Sequence, residues 1–154
     1  MKHIFTLVSF SIFWLVMGQS NCSELFISEY VEGWSNNKAL EIYNPTNQAI
    51  DLSGYFVVRY SNGASTATVA NAIQLNGMVA AHDVYVAVLE QLDTAGTGQN
   101  APVWDSLQVR ADGFYCPVYN TSNAFYWNGN DAVVLAKGTL PATATTVISP
   151  ANVP

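Results

Sequence analysis

The chain has 154 residues, five basic and eleven acidic side chains, and a net charge of −6, enough length for one domain with its own core. That balance excludes direct nucleic-acid binding, because counterion release on a phosphate backbone needs clustered Lys and Arg. An anionic membrane surface is an equally poor partner.

The first element is a leader. Lys2 and His3 precede an apolar run from Ile4 to Met17, and Gly18 and Ser20 are small residues placed for cleavage after Ser20. The run is about 14 residues, short of the roughly 20 a bilayer span needs. Residues 1–20 are therefore read as a secretory signal peptide, with a secreted or cell-surface product and no membrane span after cleavage. The remainder keeps Lys38, Arg59, Arg110 and Lys137 against all eleven acids, a net charge near −7.

Two cysteines, Cys22 and Cys116, follow in an export context that permits a disulfide. The long loop it would close is worth about 4–5 kcal/mol in the chain-entropy model. A lipid-anchored Cys22 and a pair of free thiols stay open as alternatives, with Cys116 then a small buried hydrophobe.

The rest reads as strands punctuated by Asn, Gly and Pro. Strong ones are expected at Leu25–Val31, Ala39–Tyr43, Tyr55–Tyr60, Val84–Leu89 and Ala132–Ala136, with weaker ones at Ala72–Leu75 and Ala124–Trp127. One helix is expected over residues 101–111, capped by Asn100, with Val103, Trp104, Leu107 and Ala111 on its apolar stripe. The pattern predicts two packed, mainly antiparallel sheets with Ile27, Leu40, Ile42, Val58, Val86 and Leu135 in the core. From Gly138 onward there is no charge and there are three prolines, so the tail is expected to be irregular.

Three segments now carry a resemblance: Leu25-Phe-Ile-Ser-Glu-Tyr-Val-Glu-Gly33, Ser35-Asn-Asn-Lys-Ala-Leu-Glu-Ile-Tyr-Asn-Pro45 and Asp51-Leu-Ser-Gly-Tyr55. A fourth, Trp127-Asn-Gly-Asn-Asp-Ala-Val-Val-Leu135, follows in order. Together they resemble the bacterial lamin tail domain. The resemblance implies an all-β, Ig-like antiparallel β-sandwich without chemistry of its own, found in exported proteins and often at the N-terminus of extracellular nucleases. The family continues into a further strand close to Val-Asp-x-Phe-Gly, which residues 138–154 lack. The expectation is a lamin-tail-type sandwich over 21–137, without its last strand or strands and without any downstream catalytic domain.

Candidate chemistry is sparse. Alternation along the first strand puts Leu25, Ile27, Glu29 and Val31 on one face, so a core-facing Glu29 would need donors from a nearby loop or from Lys38. Glu29, Glu32 and Asp131 are weak candidates for a hard cation, because their spacing matches no calcium loop. The competing reading makes Glu29 a hydrogen-bond anchor for the Trp34–Lys38 loop. The one histidine beyond the leader, His82, lies beside Asp83 in a turn. A zinc site needs three or four ligands at workable spacing, and no Gly-x-Ser-x-Gly elbow appears. Glycosidase chemistry from paired carboxylates is open but favoured by nothing. No enzyme activity and no cofactor are expected. Most of the aromatics should be core. Trp34, with Asn36 and Asn37, is the best candidate for an exposed contact with a protein or glycan partner at the cell surface.

Overall fold

A computed structural model describes residues 22–143 and 146–148; the expected leader, residues 1–20, lies outside them. Strand β1 (Phe26–Glu32) pairs with β2 (Lys38–Tyr43), followed by the short β3 (Ile50–Asp51) and the central β4 (Tyr55–Tyr60). Then come β5 (Ala67–Thr68), β6 (Ala72–Gln74), β7 (Met78–Val79), β8 (Val84–Leu89), helix α1 (Asp105–Gln108), β9 (Gly113–Tyr115), β10 (Ala132–Lys137) and β11 (Val147–Ile148). One sheet has the order β1-β2-β8-β9 and the other β10-β4-β6, with two-stranded pairs β11-β5 and β3-β7 at their margins. All pairs are antiparallel except β8 with β9. A parallel pair needs a long crossover, and residues 90–112 with α1 supply it.

The first sheet buries Leu40 and Ile42 of β2 and Ala87, Val88 and Leu89 of β8. In the second sheet every residue of β4 is buried. Tyr55 and Val57 belong to the main core, whereas Phe56, Val58 and Tyr60 join a second cluster with Ala67, Ala72, Ala136 and Ile148. Both faces of β4 are thus covered, which explains a nearly unbroken apolar run where one solvated face would give alternation. Of the six expected core residues, Leu40, Ile42 and Val58 are fully buried, and Ile27, Val86 and Leu135 pack half-buried against the main core.

Several expectations need correction. The register of β1 shifts between Ile27 and Glu29, so Ser28 is the extra residue of a bulge. Ile27 stays opposite the core residue Ile42, but Glu29 falls opposite Glu41 and is exposed rather than core-facing. Residues Ala124–Trp127 form a buried turn and not a strand. The helix is four residues long rather than eleven. Asn100 does not cap it, because tertiary hydrogen bonds to Ala101, Val103 and Trp104 hold the preceding segment extended. The tail is not wholly irregular either. Val147 and Ile148 pair with Thr68 and Ala67, and Ile148 is buried over the outer face of β4. Both cysteines are free in this fold, Cys22 exposed and Cys116 buried.

Candidate functional site

One end of the sandwich gathers the β1–β2 loop, the start of the β8–β9 crossover and the segment leading into β10. The β1–β2 loop is tight: Gly33 N–H donates to the Asn37 carbonyl at 2.9 Å, and Asn37 N–H to the Trp34 carbonyl at 3.2 Å. A Cβ at Gly33 would stand 2.9 Å from Asn37 Cβ and from its carbonyl oxygen, so the close approach requires glycine.

Asn36 and Asn37, expected at an exposed contact, are instead buried. Asn36 Nδ2 donates to the carbonyls of Gln99 (3.0 Å) and Ala101 (2.7 Å). Asn37 Nδ2 donates to the Trp34 carbonyl at 2.6 Å, while its Oδ1 accepts from Trp104 N–H at 2.8 Å. These amides satisfy backbone groups that would otherwise be orphaned. Their sequence signature, Asn in a loop, is shared by solvated turns. Lys38 Nζ donates to the Gly33 carbonyl at 2.8 Å, and burial lowers its pKa against the opposing pull of Glu32.

Trp34 is exposed, with 82% of its surface in solvent. Trp104, expected on the buried stripe of a helix, is 61% exposed. The late start of the helix explains this, since Trp104 precedes its first turn. The only hint in the sequence was its place directly before Asp105 and Ser106, residue types that favour helix starts.

The three candidate cation ligands do not converge. Glu32 accepts from Gly129 N–H (2.8 Å) and Tyr30 Oη (2.9 Å). Asp131 accepts from the N–H groups of Asn62 (2.6 Å) and Asn128 (3.0 Å) and from Arg59 (3.3 Å), with its side chain closed to solvent. Glu29 projects from the outer edge. Among the described residues no three His, Cys, Asp or Glu side chains come together. His82 sits in an exposed turn at φ +57°, its Nε2 2.6 Å from Asn47 Oδ1, in a hollow shared with Cys22.

Beside the Asn36 clamp is a cleft of about 280 Å³, with Ser35, Lys38, Gln99, Tyr119, Trp127 and Asn128 on its walls. Trp127 is buried and donates from Nε1 to the Val31 carbonyl, while Tyr119 meets Tyr126 edge-on at 4.9 Å. Such a lining can stack and hydrogen-bond, and among the described residues it holds no His, Cys, Asp or Glu.

A family model for the lamin tail domain matches residues 18–148. The chain belongs to the lamin tail domain family. The observed β-sandwich is the Ig-like fold of this non-catalytic domain family. The lamin tail match runs past Lys137 and takes in β11. No curated protein matches the chain. Among the described residues no helix is long and apolar enough to cross a membrane.

Proposed function

We propose that this lamin tail domain is an exported, non-catalytic binding module that contacts its partner through the loop end carrying Trp34 and Trp104. The observation that carries the reading is the exposure of Trp34 on a loop held from below by two buried carboxamides. Ordering a flexible loop on binding costs free energy, and a loop ordered beforehand avoids much of that cost. Large exposed aromatics on such a loop are the side chains that dominate binding energy elsewhere. Export is supported by the basic start, apolar run and small-residue exit of residues 1–20.

The test is retention of the purified protein on washed cells of the producing organism. Retention should saturate and should fall at least about tenfold with Trp34→Ala, the loss expected of an anchoring aromatic. Equal retention of the variant, or hydrolysis of nucleic acid, ester or glycoside by the purified protein, would overturn the reading. Secreted material should begin near Asn21; a product still starting at Met1 would refute the export step.

A further inference from the structure

The geometry points to a neutral oligosaccharide as the ligand of this end: sugar faces stack on Trp34 and on Trp104 while hydroxyls reach the cleft beside the Asn36 clamp. The inference rests on the binding-module reading and adds the ligand class.

The two tryptophans stand 70 positions apart in the chain, yet both are tied to one side chain. The Trp34 carbonyl and the Trp104 N–H occupy opposite ends of the Asn37 carboxamide, at 2.6 Å and 2.8 Å. Asn37 itself is only 4% exposed, so the tie is shielded from competing water. Asn36 staples the same two segments a second time, through Gln99 and Ala101. The backbones beneath both rings are therefore fixed relative to each other. Among the described residues neither ring packs against another aromatic. Each leaves a π-face available, and such rings stack on apolar surfaces with little loss of conformational freedom.

The cleft supplies the other half of sugar recognition. Ser35, Gln99, Tyr119 and Asn128 bring hydroxyl and carboxamide groups to its walls, and among the described residues these side chains donate to no protein acceptor. Pyranose rings present this alternation, an apolar C–H face with hydroxyls around its edge. Charge narrows the class. Among the described residues no carboxylate lines the cleft, and its one cation, Lys38, is committed to the Gly33 carbonyl. The acidic chain, at net −6, repels polyanionic glycans. A protein partner would favour a contiguous apolar centre, whereas the cleft here sets hydroxyl and carboxamide groups beside the Tyr119 and Trp127 rings.

The full chain can be run through native gels containing xylan, mixed-linkage β-glucan, glycol chitin or dextran, with polygalacturonate as the anionic control. At least one neutral polysaccharide should retard it. Trp34→Ala and Trp104→Ala should each weaken that retardation about tenfold or more, with unchanged melting because both rings are exposed. Trp34→Phe should keep most of it. Retardation by none of the neutral polymers, by polygalacturonate alone, or undiminished in both alanine variants would overturn the assignment. Cell retention that requires Trp34, resists periodate and is lost on protease treatment would also overturn it, while leaving the binding-module reading intact. Loss of both retardation and cell retention would remove both.

Discussion

Arg59 is a guanidinium in the middle of an apolar strand. It is buried, and its terminal nitrogens donate to the Tyr126 carbonyl (2.6 Å), Asn123 Oδ1 (2.6 Å) and Asp131 Oδ2 (3.3 Å). The pair fixes the turn 123–131 over the core face of β4. Removing one partner strands the other charge away from water, so Arg59→Ala should cost about 3–5 kcal/mol; a variant melting like the parent would refute the role. The thiols give a second test. Cys22 is exposed, whereas burial pushes the Cys116 thiol up despite a contact with Ser122. Thiolate is the reactive form, so one thiol should react with Ellman's reagent in the native state and a second only after denaturation. Two unreactive thiols in the denatured, unreduced protein would reveal a disulfide. Tyr55 is pushed from 10.0 up to about 12 by burial and by the Glu24 carboxylate that accepts its hydroxyl at 2.6 Å. The folded state thus favours the neutral phenol. Its contribution is complete below pH 10.0 and fades as pH rises toward about 12. Burial raises Tyr30 and Tyr115 in the same direction. Alkaline unfolding followed by circular dichroism, with phenolate absorbance in parallel, should show part of the absorbance change held back to above pH 10.0 and appearing together with the loss of structure.

At the scale of elements, local propensity gives way where tertiary hydrogen bonds take the backbone first. The segment 99–104 has a plausible helix start, but its carbonyls and N–H groups are claimed by Asn36, Asn37 and Gln91. The helix begins only where those claims end. Asn37→Ala would leave the Trp104 N–H without its partner and the Trp34 carbonyl with only the backbone bond from residue 37, a loss of about 1–3 kcal/mol. It should also let the Trp104 side chain move, seen as lower tryptophan fluorescence anisotropy. Unchanged melting and anisotropy would show the two loops to be uncoupled. The β1 bulge follows the same logic, since one inserted residue moved Glu29 from the core face to the outer face.

For the whole molecule, stability comes from two apolar layers around β4 and a main core beneath β2 and β8. Leu40 is completely buried at the centre of the first sheet, so Leu40→Ala should cost about 2–5 kcal/mol in thermal unfolding. The second layer depends on the tail. Ile148 covers Phe56, Val58 and Ala67 together with β5, and a chain ending at Lys137 would expose that apolar face. It should melt lower and self-associate in sedimentation, as uncovered sheet faces and edges do. Equal melting and a clean monomer would mean that the tail adds nothing.

The division between sequence and structure follows the range of the forces involved. Strand formers in short runs, bounded by Asn, Gly and Pro, determined the class of fold and five strong strands, because β-branched packing and turn chemistry act over a few residues. The ordered segments at 25–33, 35–45, 51–55 and 127–135 were enough to indicate the family. The sequence also put Trp34 in a loop, where it is exposed. The tertiary structure decided everything that depended on partners far along the chain. It turned Asn36 and Asn37 from surface candidates into buried clamps, left Trp104 exposed and tied its backbone to that of Trp34 through Asn37. It saturated Asp131 with donors from residues 59, 62 and 128. It also folded a two-residue strand from a proline-rich tail against Ala67 and Thr68. A carboxamide or carboxylate looks the same in sequence whether water or a distant backbone group satisfies it; only the packed fold chooses between them.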